Sequence, residues 1–525
     1  MRDVGAHPEQ ERVVAFLSSV ASGVRHVQTH ISHVFLAGDV VYKLKKAVTF
    51  PFLDFGTIEK REHFCREELR LNRRLAAPVY LDVMPVTERN GTLALGGGGT
   101  PVDWVVRMRR LPAERDLGAL VGDPSFDAAP VLRNVAARLA AFHATAPVVE
   151  AGGPEALLEA WDVNLDGVRA MEGRFLPSQD FDLLRDYGRT WVLHHDAVLR
   201  ARVARGHVRD GHGDLRVDHV YVLDEALPGL RDAPPVAPGL WIVDCIEFSP
   251  AFRAVDVAAD LSFLSMELEA AGRSDLARVL VDSYADAAGD PLVPALIPFH
   301  ACHRAIVRGK VEGLAADDGE LDADERRKAG ERSRALFALA GRLAWRSGDP
   351  VVIACAGLSG TGKSAVAELV HEATGFAVAS SDVLRKTEGT AEYGPDARHA
   401  IYERLRDAVE RALGARESVI VDATFLERAE RDALARVAAG FGRRHVFVAC
   451  QADEATVKRR LDARDATSVS DARWDTYLGQ RAHADAFGSD EAVLRIDTTG
   501  PLADVRATLL PPLWAWRNGR PLAPR

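Results

Sequence analysis

Cysteine is scarce and without pattern. Cys65, Cys245, Cys302, Cys355 and Cys450 are odd in number and scattered over 525 residues, with no C-x-x-C pair. That argues against a disulfide framework and a zinc site, and suits a reducing compartment. Long apolar runs are missing too: none approaches the roughly 18 residues needed to span a bilayer. Asp3, Glu9, Glu11 and Arg12 stand where a signal peptide would need its apolar segment. Basic excess is absent, since the net charge is −10. The composition therefore gives no support to a whole-chain nucleic-acid or membrane-surface role. No internal repeat or low-complexity tract stands out. The expectation is a cytoplasmic protein with no membrane partner and an unassigned oligomeric state.

What is present is ample material for burial. Apolar residues make up 47% and charged residues 27% of the chain, both globular values. At this length two to four domains are expected. The most informative stretch is 351–370, VVIACAGLSGTGKSAVAELV. Val351–Ala356 reads as a short apolar strand, and Ala365 onward as the opening of a helix. Between them Gly357, Leu358, Ser359, Gly360, Thr361, Gly362, Lys363 and Ser364 fit G-x-x-x-x-G-K-[ST] at every specified position. Glycines let successive backbone N–H groups converge on phosphates, and the helix N-terminus adds partial positive charge. Lys363 is placed to reach the β/γ oxygens and Ser364 to offer its hydroxyl to Mg²⁺. A nucleoside triphosphate, ATP with Mg²⁺, is the expected ligand.

Elsewhere, an amphipathic helix is expected after Pro8, from the spacing of Val13, Phe16, Leu17, Val20 and Val24. HISHVFLAGDVVYKLKK reads as a hairpin turning at Gly38-Asp39. Lys43 and Lys45, two apart, share a face of its second strand. A helix over Glu59–Leu75 carries Glu67 and Glu68, and strands follow at 78–86 and 102–111. This makes a small α+β lobe of about 110 residues. Helices dominate from 130 to 206, including a long one over Phe181–Ala204, and again from 257 to about 345. The turn residues Arg346–Pro350 mark a domain boundary. Beyond it strands at 377–380, 418–421 and 445–450 alternate with helices, which implies a parallel sheet covered on both faces. Domains 1–345 (lobes of about 1–113 and 114–345) and 346–525 are expected.

A second constellation lies upstream. Asp214 follows His212-Gly213 in a loop between helical and β-type segments, where a carboxylate can accept a proton from an alcohol. Thirty residues on, Asp244 closes an apolar strand, a common seat for a metal-binding carboxylate. With a hairpin lysine and a helical glutamate, these are the parts of a kinase-like phosphotransfer site. The segments THISHVFLAGDVVYKLKK, EELRLNRRL, HGDLRVDHVYV, IVDCIEF and DVAADLSFL resemble the aminoglycoside phosphotransferase and choline kinase branch of the protein-kinase-like fold. The resemblance is to a bacterial subgroup in which that module is fused to a P-loop kinase-like domain. It implies a bilobal fold, Asp214 as catalytic base and Asp244 as the principal Mg²⁺ ligand. It also implies that Lys43 or Lys45 holds the α/β phosphates, paired with Glu68 or Glu67, and that Asp256 and Asp260 fall in the region that buttresses the loop. One position departs: the pattern H-x-D-x-x-x-x-N has a metal-binding asparagine where this chain has His219. Imidazole ligates Mg²⁺ less readily than an oxygen donor.

The C-terminal part carries its own resemblance. Asp382 lies nineteen residues after Lys363, with Arg385 completing D-x-x-R; Val419–Val421 closes on Asp422; Arg460 and Arg464, four apart, share a helix face. This order is similar to P-loop kinases of the gluconate, shikimate and polynucleotide 5′-hydroxyl type, a three-layer α/β/α fold. There the aspartate activates the acceptor hydroxyl, and lid arginines neutralise charge on the transferred phosphoryl. Arg385 becomes a substrate-side residue and Asp422 a metal- or water-positioning one. His143, His194, His195, His300 and His303 read as packed or helix-face residues, and Trp514 and Trp516 as a terminal anchor. The expectation is a bifunctional kinase. A small hydroxylated molecule is its N-terminal acceptor, and a sugar, sugar acid or nucleic-acid 5′-hydroxyl its C-terminal one. The competing expectation is an ATP-dependent switch with a non-catalytic kinase-like module, which His219 favours and Asp382 opposes.

Overall fold

The computed structural model describes residues 8–50, 52–319, 321–388, 395–463 and 473–522. They fall into two compact units. One comprises 1–161 with 191–304, the other 162–190 with 305–525.

The first unit begins with a short helix, Pro8–Ser18, which stops before Val20 and Val24; a strand, Arg25–Gln28, takes the chain from there. Val20 and Val24 lie in the connecting turn, where Val24 packs against the core of the following sheet, so the apolar spacing outlasts the helix. Six antiparallel strands follow in the spatial order Arg25–Gln28, Ser32–Ala37, Val40–Lys45, Thr100–Arg109, Tyr80–Arg89, Thr92–Leu95. The expected hairpin forms in register, Leu36 opposite Val41 and Phe35 opposite Tyr42. Val13, Leu17, Phe35, Leu44, Val86 and Val105 form the core on one face of this sheet. The helix Ile58–Ala76 packs on its strands, capped by Thr57, whose hydroxyl accepts from the Lys60 N–H at 3.3 Å.

The helical part of this unit holds Ala128–Thr145, Val257–Ala270 and Ser274–Ala288, packed on one another. The long helix expected over Phe181–Ala204 is two, Ser178–His194 and Asp196–Ala204. The break falls at His195, whose Nδ1 meets the Trp191 carbonyl at 2.8 Å while its ring stacks on Trp191. Two small antiparallel pairs carry the chemistry-bearing loops. Val220–Leu223 pairs with Gly239–Ile242, and Val208–Asp210 with Ala254–Asp256.

The second unit is built on a five-stranded parallel sheet. Its order is Ala377–Ser380, Val419–Asp422, Val351–Ala356, Arg444–Gln451, Val493–Asp497. Val351–Ala356 is central and buried at every residue, which is why it reads as an unbroken apolar run. Lys363–Thr374, Leu502–Arg517 and Ala323–Arg346 pack as one helical layer. Pro395–Gly414 and Arg428–Gly440 form the other, against Val352, Ala354, Val419, Val421 and Phe447. This is the expected three-layer α/β/α arrangement. The fifth strand, Val493–Asp497, was not anticipated; Arg495 interrupts its short apolar series. Trp514 and Trp516 are buried as expected, and Trp514 Nε1 donates to Asp186 at 3.1 Å. The fold class is therefore mixed: an α+β N-terminal unit of kinase-like design and an α/β P-loop unit with a parallel sheet.

Candidate functional site

In the second unit the C-terminal ends of parallel strands bring the sequence-distant groups together. Ala356 leads into the Gly357–Gly362 loop. Ser380 and Asp422 lie in register on adjacent strands, and Asp422 is also in register with Cys355. Ligands in open α/β sheets bind at this edge. Gly357 has φ 139°, and a Cβ there would lie 2.5 Å from the Cys450 carbonyl oxygen. Gly360 and Gly362 are left-handed, at φ 83° and 86°. The loop can therefore be traced only by glycine at these points.

Ser364 donates its hydroxyl to Asp422 Oδ2 at 2.8 Å, and Ser380 reaches the same oxygen at 3.3 Å. Burial raises the Asp422 carboxyl, opposed by Lys363 and the Ser364 hydrogen bond. Lys363 Nζ donates to the Leu358 carbonyl at 3.1 Å, folded over its own loop. Asp382 opens the helix Ser381–Glu388 directly after the Ser380 strand, and its charge is felt at Asp422. Arg385 pairs with Asp382 at 3.4 Å.

Arg460 points at the loop indirectly. Its Nη2 donates to the Thr498 carbonyl at 2.6 Å, and Thr498 Oγ1 donates to the Thr361 carbonyl at 2.6 Å. Arg464 lies outside the described residues. Leu358 packs with Val457, Leu461, Tyr477 and Trp474, and Gln480 Oε1 accepts from the Ser359 N–H at 2.7 Å. Thr498, Gln480 and Ser380 are additions that sequence reasoning missed. Thr498 was findable, because D-T-T-G closes a strand-like V-L-R-I run; Gln480 carries no local signal.

In the first unit a chain of alternating charges runs inward from a surface carboxylate. Lys43 Nζ donates to Asp244 Oδ1 at 2.5 Å and lies 2.9 Å from Glu68 Oε1. Lys45 Nζ donates to Glu68 Oε2 at 2.7 Å and to Glu247 Oε1. Lys45 and Glu68 are fully buried, whereas the Asp244 side chain is 44% exposed. Glu67 turns the other way, to Arg70 at 2.7 Å on the helix surface. Burial works to raise the Asp244 carboxyl, but Lys43 and His219 outweigh it and hold it well below the usual range.

The backbone at Asp244 is left-handed, at φ 64°, an arrangement that costs a non-glycine residue about 1–3 kcal/mol. It is held by neighbours: Asp244 N–H donates to Tyr80 Oη at 3.1 Å, and Cys245 N–H to Asn72 Oδ1 at 2.8 Å. Asn72, Tyr80 and Glu247 are the residues missed here. Glu247 had a signal, a second carboxylate three residues after the one that closes the strand.

His219 sits beside the same carboxylates. Its Nδ1 meets the Asp214 carbonyl at 2.8 Å and its Nε2 lies 3.5 Å from Asp244 Oδ2. Asp260 accepts from His212 N–H at 2.7 Å and Gly213 N–H at 2.8 Å, and its Oδ2 meets His143 Nε2 at 3.1 Å. It thus ties down the loop that presents Asp214. Asp256 instead pairs with Arg202 at 2.6 Å. Both places suit a hard cation. Carboxylate and hydroxyl oxygens converge at Ser364–Asp422, and Asp244 projects with one imidazole beside it. No cluster of three or more His, Cys, Asp or Glu arranged for a metal occurs among the described residues. Mg²⁺ is typically held by one or two protein carboxylates, with phosphate and water completing its shell.

Fold and site together define a nucleotide-binding, kinase-like class in which a P-loop unit is joined to a kinase-like unit. Residues 352–484 match the AAA domain family. The chain belongs to the family of the uncharacterized protein Rv2004c of Mycobacterium tuberculosis (strain H37Rv). It is 30% identical to that protein over 495 residues, 90% of this chain and 92% of the relative. Among solved structures it is similar to a choline/ethanolamine kinase family protein from Mesorhizobium loti. That likeness has 14% identity, covers 64% of this chain and 99% of the other, and has a TM-score of 0.36. It is also similar to a sugar kinase from Janibacter sp. HTCC2649, at 20% identity, 34% and 100% coverage and a TM-score of 0.28. No helix among the described residues is long and apolar enough to cross a membrane.

Proposed function

We propose that the chain is a bifunctional ATP-dependent phosphotransferase, with the functional boundary at residues 345/346 and a hydroxyl acceptor at each domain. The observation that carries this reading is the meeting of Gly357–Ser364, Asp422 and Asp382 at one edge of one sheet. In the C-terminal domain the loop amides and Lys363 cradle the phosphates, while Ser364 and Asp422 hold Mg²⁺. Asp382 accepts the proton of the acceptor hydroxyl, Arg385 orients the acceptor, and Arg460, with Arg464, faces charge on the transferred phosphoryl. The acceptor is a sugar, a sugar acid or a nucleic-acid 5′-hydroxyl.

In the N-terminal domain Lys43 is the phosphate-binding lysine, because it is the one that faces Asp244. Glu68 and Lys45 lie beneath it. Asp214 takes the proton of a small hydroxylated molecule, and Asp244 with His219 holds the cation. Mg²⁺ supplies charge neutralisation across the phosphates at both places.

The test is a phosphorylation screen of metabolites and oligonucleotides on the full chain. Lys363→Ala is expected to abolish transfer to one class of acceptor, and Asp214→Asn to reduce transfer to the other by about 10²–10⁴-fold. Asp382→Asn should spare nucleotide affinity while removing C-terminal transfer. Undiminished transfer by Lys363→Ala or Asp214→Asn would refute the respective assignment.

A further inference from the structure

The N-terminal cluster contains one lysine and one carboxylate more than a phosphate-holding pair and a metal-side carboxylate require. Its members alternate in sign: Asp244, Lys43, Glu68, Lys45, Glu247. Three carboxylates against two ammonium groups leave one negative charge in excess. The cluster is sealed at one end, where Lys45 is fully buried and Glu247 nearly so, and open at the other, where Asp244 meets solvent.

Glu68 is the pivot. It has no solvent contact, so each of its oxygens needs a cation or a donor. Oε2 has Lys45 at 2.7 Å with hydrogen-bond geometry. Oε1 has the ion-pair approach of Lys43 at 2.9 Å and, among the described residues, receives no hydrogen bond. Lys43 directs one of its three N–H groups at Asp244 Oδ1, so it is shared between the two carboxylates. Lys45 is held in turn by Glu247 and lies over the Phe55 ring, 5.0 Å from its centroid. Glu247 is three residues from Asp244 in the same segment, which links the sealed end of the cluster to the open one.

We propose that Lys45 and Glu247 are positioning residues that neutralise Glu68 from beneath and so free Lys43 to face the nucleotide phosphates. This rests on the reading of the N-terminal domain as a nucleotide-binding phosphotransferase. Without Lys45, Glu68 is a buried carboxylate with one counter-ion, and it draws Lys43 inward, away from Asp244 and from any phosphate. Glu247 balances Lys45, so that the second lysine does not leave an unpaired buried cation. The pair therefore acts through Glu68 and touches no substrate.

The experiment uses the full chain carrying Lys363→Ala, so that Mg²⁺-dependent binding of a non-hydrolysable ATP analogue reports the N-terminal site alone. Lys45→Met with Glu247→Leu replaces a buried ion pair by apolar groups, a change that proteins often tolerate without loss of stability. Folding is checked by thermal melting. Analogue affinity is expected to fall about tenfold or more in the folded protein. Should that variant not fold, Lys45→Gln with Glu247→Gln carries the same expectation.

Glu68→Gln supplies the readout that a purely structural role would not move. In the parent it should weaken binding, because Lys43 loses its seat. In the Lys45→Met/Glu247→Leu background it should strengthen binding, because the carboxylate that captures Lys43 is gone. Unchanged affinity on loss of the pair, or weakening by Glu68→Gln in both backgrounds, overturns the inference. Failure of the parent itself to bind the analogue overturns the N-terminal nucleotide reading, and with it the premise.

Discussion

Among individual residues, two fully buried histidines show what burial does to a titratable group. The His212 and His300 imidazoles are pushed down to about 4 from an ordinary 6.5 because charging them would place a cation away from water. The unfolded chain accepts those protons near 6.5, and the native state does so only near 4. Their contribution to stability is therefore fully present above about pH 6.5 and is lost as the pH falls towards 4. Each can withdraw about 3 kcal/mol over that window. Thermal melts between pH 7.5 and 4.5 should show the midpoint dropping. His300 lies against Trp191 and Phe299 with its Nε2 unbonded among the described residues, so His300→Leu should flatten the profile. A variant profile parallel to that of the parent would show that this imidazole is not held neutral. The choice between Glu67 and Glu68 also belongs to this scale. Adjacent residues on a helix diverge in direction, so one is buried among the lysines and the other pairs with Arg70.

Among elements, the phosphate loop is tightly constrained. Its first glycine sits where a methyl group would strike the Cys450 carbonyl oxygen at 2.5 Å and Thr361 Oγ1 at 2.9 Å. Gly357→Ala should therefore distort the loop and remove nucleotide binding by the C-terminal unit, read by calorimetric titration of the Asp244→Asn protein. Gly98, where an added Cβ meets nothing within 4 Å, supplies a neutral control as Gly98→Ala. Equal affinity in the Gly357 and Gly98 variants would contradict the steric argument. The strand–loop–helix element was legible in advance because all its parts are contiguous: an apolar strand, glycines at the strained positions and a helix N-terminus. The split of the helix expected over Phe181–Ala204 was not legible. No proline or glycine marks it, and the break comes from a His195 side chain that turns back to the Trp191 carbonyl.

For the whole molecule, the proposed pair of nucleotide sites gives a simple expectation of stoichiometry. Titration of the full chain with Mg²⁺ and an ATP analogue should saturate at two equivalents. Lys363→Ala and Asp244→Asn should each leave one, and the double variant none. Saturation of the parent at one equivalent, abolished by Lys363→Ala, would confine nucleotide binding to the P-loop unit.

The chain order alone determined the P-loop, the parallel sheet behind it and most of the charged residues proposed for the two sites, Glu247 excepted. Those features are local, because periodicity and a backbone anion cradle are properties of neighbouring residues. Tertiary structure decided how the charged residues are used. Lys43 meets Asp244 across 201 positions and Lys45 meets Glu247 across 202; Thr498 reaches Thr361 across 137. No spacing rule covers such separations. In these places the deciding quantity is the cost of leaving a buried charge or carbonyl unmatched, which is set only once the lobes and strands have closed around it.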